Sequence, residues 1–577
     1  MFELDTSQRL VATLPVEERC IVTAGPGSGK TRTAAARLEY FESSLEAPGE
    51  SSVLFISFSK ASIRAALKSL GNFIAECELY VDARTIDSLA LQICHTYVEE
   101  FGGTAPPTDF EARLSMATRF LQGKNFDATS DICHVIIDES QDIIGPRRDF
   151  LLALLSNLTP NAGITMFTDP AQSIYQFLVK DKKDPQPWES FKSQLKEIGV
   201  NSSYSLSGQY RARSRTAKAL MASISSFREE KDEINGIRIL DAAQSMLPHC
   251  SIGKFIDRVE SRNGNAAILF RDNAQVAMAF QTIVNSGKLI NHPLRLRLLR
   301  EWRPAFGAWL AMFGHHIDGR TFSTFSLKAF LNEIDEHDVL EHLSNYIDFA
   351  YDDTMSWTEL TTYARYFSFE DLRETDDALV LSTIHQSKGL EFDFVGVHET
   401  DSLVNDREPE PELAFVALTR AQQKTYSIDH SFPKAKNRGN RKVTYTKGKY
   451  IPGKAKAPET ILITPQDVEV VKTSEEAFRT LAAAQIGKLV DFDCINPHSE
   501  LPRYRCSLGG VVVGKTTSDF GKNIQKFFPE GAPKRLSSVP IDGVETSLDI
   551  VDGQLKARLK PRPLGFAEFV THSTPKD

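Results

Sequence analysis

Several absences narrow the possibilities for this chain. Its seven cysteines never form a Cys-x-x-Cys pair, so the ligand spacing of a zinc knuckle or an iron–sulfur cluster is missing. Isolated thiols suit a reducing compartment better than a disulfide framework. No run of ~18 apolar residues is long enough to span a bilayer. The opening residues Met1 to Asp5 lack a basic segment followed by an apolar one, so no signal peptide is expected. Positive charge is not in excess: 67 Lys and Arg face 76 Asp and Glu, a net charge of −9. That excludes a uniformly basic coat but not a local cationic path. Internal repeats are also missing. A soluble, cytoplasmic protein with no membrane partner is the expectation.

The 577 residues correspond to about four domains at ~150 residues each. Hydrophobic residues at 41% and charged residues at 25% are ordinary for a globular chain. Residues 1–205 alternate short apolar runs (Ile21-Val22, Val53 to Ile56, Val135 to Ile137, Ile164 to Phe167) with helical-period segments, the pattern of a parallel sheet covered by helices. A helical insertion is expected at about 95–132. A second α/β pattern occupies 206–287 and 377–430, with buried strands at Ala266–Phe270, Ala378–Ser382 and Phe394–Val397. The intervening 288–376 reads as an inserted helical domain, in which Trp302, Phe306, Trp309 and Phe313 share one helix face as a core stripe. Residues 431–458 are rich in Lys and Arg without Asp or Glu and read as a solvated tether. Residues 459–577 read as a small β-rich domain, with Asp549 to Gly553 as a strand entering a turn.

The sharpest local signal is Ala24-Gly25-Pro26-Gly27-Ser28-Gly29-Lys30-Thr31, between a short apolar strand and a helical segment. Glycines let such a loop turn its backbone N–H groups toward phosphate oxygens, and the following helix adds its N-terminal dipole. Lys30 would reach the β- and γ-phosphates and the Thr31 hydroxyl would ligand Mg²⁺. Val135-Ile136-Ile137-Asp138-Glu139 supplies the acids such a site needs. Asp138 would hold Mg²⁺, and Glu139 would accept the proton of an attacking water. ATP and Mg²⁺ are the expected cofactors.

Asp138-Glu139-Ser140-Gln141-Asp142 has the form DExQD and resembles the UvrD/Rep/PcrA family of superfamily 1 helicases. Other segments match in order across about residues 4 to 428. Leu4 to Gln8 resembles the adenine-reading Q motif, with Gln8 at the base edge. Leu54 to Ser59 resembles motif Ia and Thr85 to Leu89 motif Ib. Thr168-Asp169-Pro170-Ala171-Gln172-Ser173-Ile174-Tyr175 resembles motif III, Gln209-Tyr210-Arg211 motif IV, Ile384 to Phe392 motif V, and Val416 to Ala421 motif VI. The resemblance implies two RecA-like P-loop domains with parallel sheets, small helical insertions and an accessory C-terminal domain. It implies that Gln172 senses the γ-phosphate, that Arg211 and Arg420 act as fingers on the transferring phosphoryl group, that Tyr210 stacks on adenine and that Glu391 contacts the ribose. For single-stranded DNA it implies Phe58, Tyr175 and Phe177 as stacking platforms, with His385 and Lys388 along the backbone path.

Two departures bear on DNA. Ile86-Asp87 replaces the family's Phe-His in motif Ib, and Gln176-Phe177-Leu178 replaces Arg-Trp-Arg after Tyr175. With the insertions also short, translocation is favoured over robust strand separation. The expected activity is an ATP-dependent DNA helicase or translocase moving 3′ to 5′ on single-stranded or tailed DNA. The alternatives are a nucleic-acid-sensing NTPase with a protein partner in an anti-phage or repair complex, similar to Gabija-type helicase subunits, and an RNA-remodelling motor.

Overall fold

The computed structural model describes residues 4–57, 78–104, 106–107, 109–123, 129–175, 187–230, 232–260, 264–288, 295–298, 306–317, 321–334, 336–344, 347–365, 378–399, 403–404, 409–438, 443–447, 458–470, 474–551 and 554–570. The chain divides into two compact units. One comprises Met1–Pro248 with Ser387–Ser427, the other His249–Gln386 with Ile428–Asp577.

The first unit is built on six strands: β1 (Arg19–Ala24), β2 (Ser52–Ser57), β3 (Tyr80–Thr85), β4 (Ile132–Asp138), β5 (Gly163–Thr168) and β6 (Ser202–Leu206). Their order is β3-β2-β4-β5-β1-β6, with every pairing parallel. Successive strand residues point to opposite faces, and both faces are covered. Cys20 and Val22 pack with Leu38 and Phe41 on one side; Ile21 packs with Ile137, Phe150 and Leu154 on the other. Burial on both faces is why these strands read as continuous apolar runs. The expected helical insertion holds two helices, Ile86–Phe101 and Phe110–Leu121, whose Tyr97 and Phe120 rings stack at 3.6 Å. Thr85 caps the first of them, accepting from the Ser88 N–H.

Parallel pairing places the loops after β1, β4, β5 and β6 along one sheet edge, where open α/β sheets bind ligands. Because β1 lies between β5 and β6, the loop after β1 is flanked by residues 169–172 and 207–211. Residues 387–427 add the strand Phe392–His398, the buried helix Pro411–Leu418 and the strand beginning at Ala421 to this unit.

In the second unit, Ala266–Phe270 and Arg295–Leu298 flank Ala378–Thr383 in parallel. The C-terminal region forms an antiparallel sheet around the long strand Arg535–Val551, which pairs with Gln554–Pro563, Leu489–Cys494 and Gly565–Val570. The expected β-rich character therefore holds; Asp549–Val551 ends the strand Arg535–Val551, and Asp552-Gly553 lie outside the described residues. Two expectations need correction. Ala435–Arg438 and Val443–Lys447, read as tether, are antiparallel strands of that same sheet, joined to Pro458–Ile463. Val443-Thr444-Tyr445-Thr446 is β-branched and aromatic, as strands favour, and the surrounding run of charge masked it. The four-aromatic helix face is also not formed as read. Phe306 lies in a strand paired to Thr546, and the helix begins at Ala308, so only Trp309 and Phe313 share its buried side. Trp302 lies outside the described residues.

No helix among the described residues is long and apolar enough to cross a membrane.

Candidate nucleotide site

Helix α2 (Lys30–Ser44) begins at the end of the glycine loop, with Gly29 at its N-cap in the left-handed region (φ 85°). Gly27 is left-handed as well (φ 71°), and a Cβ there would lie 2.5 Å from the Arg211 Cβ. Both positions therefore require glycine. The Tyr210 N–H donates to the Gly27 carbonyl at 2.7 Å and the Gln209 side-chain amide to the Pro26 carbonyl at 2.7 Å. The chain after β6 thus clips onto the backbone of the loop.

Helix α1 (Thr6–Ala12) brings a second support. Asp5 caps it and Gln8 closes the capping box, its amide oxygen accepting from the Asp5 N–H at 3.1 Å. The Gln8 amide nitrogen donates to the Ser28 carbonyl at 3.0 Å. Tyr210 stands half-exposed beside Gly29 and donates its hydroxyl to Asp5 at 2.5 Å. Gln8 and Tyr210 are therefore adjacent at the loop, each with one edge tied to protein. Gln8 keeps a second amide hydrogen and a second oxygen lone pair.

At the phosphate end, the Lys30 ammonium meets Glu139 at 2.6 Å. Burial opposes the charge of Lys30, but Glu139, Asp138 and Asp169 outweigh it and raise its pKa. Burial likewise opposes the charge of Glu139, yet Lys30 and Lys388 hold its carboxyl well below the usual carboxylate range. Asp138 is pushed up to about 6 by burial and then by Glu139. Glu139 adopts φ 51°, ψ 42°, a left-handed conformation that costs on the order of 1 kcal/mol in a non-glycine residue and is concentrated at functional sites. Gln141 fixes it there, donating to Glu139 at 2.5 Å while its oxygen accepts from the Asp169 N–H at 3.0 Å.

Motif III and motif VI join this cluster. The Gln172 amide donates to Asp169 at 2.6 Å, and its oxygen accepts from Arg420 at 2.9 Å. Arg420 is 1% exposed and also donates to the Val416 carbonyl and the Thr419 hydroxyl. Burial, and then Arg211, bring its pKa down to about 9, which leaves it charged at neutral pH. Arg211 donates to Glu391 at 2.7 Å and to the Thr419 carbonyl at 2.8 Å. Burial disfavours ionised Glu391, but Arg211 more than compensates and lowers its pKa.

For a metal, the test is the donor set. Asp138 Oδ1 is buried without a hydrogen-bond partner, an orphaned hard oxygen at the loop's phosphate end. No cluster of three or more His, Cys, Asp or Glu suited to a metal occurs among the described residues. One unpartnered carboxylate oxygen, with the hydroxyl of the Thr31 that follows Lys30, is a donor set that fits Mg²⁺, which takes few protein ligands and completes its shell with phosphate oxygens and water.

Two family models match the chain: an AAA domain over residues 8–178 and a UvrD-like helicase C-terminal domain over residues 378–427. These two matches support a UvrD-like helicase of superfamily 1. No curated protein matches its sequence significantly. Similar solved structures include the Pif1 helicase of Candida albicans (13% identity, TM-score 0.37, 75% of this chain and 96% of that one). Another is the Pif1 helicase of Bacteroides in complex with ADP-AlF3 and ssDNA (13%, 0.34, 75% and 94%). A third is S. cerevisiae Dbp5 bound to Gle1 and IP6 (10%, 0.38, 74% and 82%). The family assignment rests on the sequence matches.

Of the residues expected along DNA, Tyr175, His385 and Lys388 are among the described residues. Lys388, expected on the DNA backbone, is buried. Its ammonium pairs with Asp142 at 2.6 Å, donates to the Gln172 carbonyl and lies 3.7 Å from Glu139. It serves the acidic cluster, because a buried carboxylate pair attracts the nearest flexible cation. Burial pushes Asp142 up to about 7 even against that ammonium. Tyr175 is half-buried, with the Lys388 ammonium 5.8 Å from its ring centre. His385 is half-buried in the other unit. Phe58 and Phe177 lie outside the described residues. Asp87, the motif Ib departure, is met by Arg147 at 3.1 Å. Sequence reasoning gave no roles to Asp5, Gln141, Asp142 and Asp169, although each sits inside a matched motif. Arg228, described below, carries no motif signal.

Proposed function

We propose that this UvrD-like helicase is an ATP-dependent DNA helicase or single-stranded DNA translocase with 3′ to 5′ movement. The observation that carries the reading is the continuous chain Lys30–Glu139–Gln141–Asp169–Gln172–Arg420, which links the phosphate loop to motif VI through direct hydrogen bonds and ion pairs. In this reading the loop N–H groups and Lys30 hold the triphosphate. Glu139, kept ionised by two lysines, orients water and takes its proton. Mg²⁺ held by Thr31 and Asp138 would neutralise phosphate charge. Arg420 acts on the charge that develops at the terminal phosphate, a contribution of ~10³–10⁵ in rate for such arginines. Gln8 and Tyr210 would take the base, and Glu391 the ribose.

Glu391 and Arg211 pair directly, so sugar binding by Glu391 would share the carboxylate between ribose and guanidinium. The DNA preference rests on the family and on the DExQD form. Translocation, with Tyr175 as a stacking residue, is the part of the activity on which duplex separation would build.

The test is one unwinding panel: 3′-tailed and 5′-tailed duplexes, in DNA and in RNA, with and without ATP. Separation or translocation only on 3′-tailed DNA with ATP is expected. Movement on RNA alone, or hydrolysis with no movement on any substrate, overturns the proposal.

A further inference from the structure

We infer that Arg228 reads the terminal phosphate of the bound nucleotide and passes its presence to the Asp169–Gln172–Arg420 chain, acting as a positioning residue. The inference rests on the nucleotide-site reading above and extends it to a residue outside every matched motif.

Three observations carry it. First, the Arg228 guanidinium lies flat against the phosphate loop: a Cβ placed on Gly25 would be 2.8 Å from Nη1, 2.9 Å from Cζ and 3.2 Å from Nε. Gly25 is not left-handed, so what a side chain there would displace is this guanidinium and not the backbone. Second, Arg228 Nε donates to Asp169 Oδ1 at 3.2 Å, while Asp169 Oδ2 receives the Gln172 amide at 2.6 Å. One carboxylate therefore joins Arg228 to the residue that carries Arg420. Third, the Asp169 N–H donates to Gln141, which in turn holds the Glu139 carboxylate that meets Lys30, so Arg228 and Lys30 are joined by one hydrogen-bonded path. Arg228 is 27% exposed in its side chain; the cation is not sealed into the fold and can shift within reach of a ligand.

A guanidinium has five N–H donors in a planar fork. With Nε directed at Asp169, the terminal nitrogens lie over the loop where phosphate oxygens would enter. A γ-phosphate would compete with Asp169 for this cation. When Arg228 turns toward phosphate, Asp169 is left to Gln172, and the orientation of the Gln172 oxygen that holds Arg420 changes with it. A nucleoside diphosphate offers no such competitor. The chain would thereby distinguish triphosphate from diphosphate before hydrolysis.

The experiment measures equilibrium binding of ADP and of the β,γ-imido analogue of ATP, each with Mg²⁺, to the full chain and to its R228Q and R228K variants. R228Q is expected to lose at least tenfold in affinity for the analogue and less than twofold for ADP, with R228K recovering part of the loss. Gly25→Ala should weaken analogue binding more in the chain with Arg228 than in the R228A background, because the atoms it would displace are gone there. Equal loss of both nucleotides, or no loss of either, overturns the inference while Mg²⁺-ATP hydrolysis by the unmutated chain leaves the proposed function standing. An unmutated chain that binds neither nucleotide overturns both.

Discussion

Lys30 and Arg420 mark the two ends of the site, and their replacement should separate binding from turnover. Lys30→Ala removes the ammonium that faces Glu139 at 2.6 Å and would face the β- and γ-phosphates. ATP hydrolysis should fall to background while the thermal midpoint stays close to that of the parent chain. Residual DNA-stimulated hydrolysis would show that the phosphates lie elsewhere. In the proposed function Arg420 acts on transition-state charge, so Arg420→Ala should lower kcat by ~10³ or more and weaken nucleotide binding less than tenfold. Because Arg420 is buried, Arg420→Lys serves as the second variant: it keeps a cation and much of the volume but loses the planar fork toward Gln172. Equal losses in binding and turnover for both variants would contradict the assigned role. Lys388 gives the residue-scale correction. In sequence it is a motif V cation with no visible partner, and the fold supplies Asp142.

At the scale of elements, α2, β4, β5 and the segment that follows α1 are joined by a polar relay against an otherwise apolar sheet. Arg37 on α2 donates through Nε to the Thr165 hydroxyl at 2.8 Å and through its other nitrogens to the carbonyls of Val11, Leu14 and Pro15. Thr165 meets His134 Nε2 at 2.9 Å, and His134 Nδ1 donates to the Val16 carbonyl at 2.6 Å. Burial, then Arg37, lower the pKa of His134 well below 6.5, so the folded chain keeps it neutral. The unfolded chain binds a proton there that the folded chain refuses. The stabilisation is therefore complete above pH 6.5 and is lost as pH falls below it. Between pH 7.5 and 5.5 the parent chain should lose about 1.4 kcal/mol more stability than His134→Gln, one proton over about one effective pH unit. Urea midpoints at the two pH values measure this, and equal losses would refute it. Periodicity placed the strands correctly, because each buried face repeats its own residues. It could not place this relay, whose members come from different elements.

At the scale of the whole molecule, the nucleotide residues come from two distant stretches of sequence. The chain leaves the first compact unit at Pro248 and returns to it at Ser387, bringing Lys388, Glu391 and Arg420 with it. The expected DNA residues Tyr175 and His385 fall in different units, so the tailed-duplex panel is run on the full chain. Lys30→Ala should abolish movement and hydrolysis together. The basic stretch near residue 440 shows how composition misleads at this scale. A run of lysines looks solvated, yet strands need only alternate faces, and Ala435–Arg438 and Val443–Lys447 extend the C-terminal sheet.

Sequence by itself determined the glycine loop, the acids that follow β4 and the order of the helicase motifs, because each is a short contiguous pattern whose chemistry depends on neighbours within a few residues. The tertiary structure alone decided that Lys388 faces Asp142, that Arg228 covers Gly25 and that Arg211 closes on Glu391. Those pairings join residues far apart in the chain. They follow from parallel strands delivering separate loops to one edge, where buried charges take the partner that lies within reach.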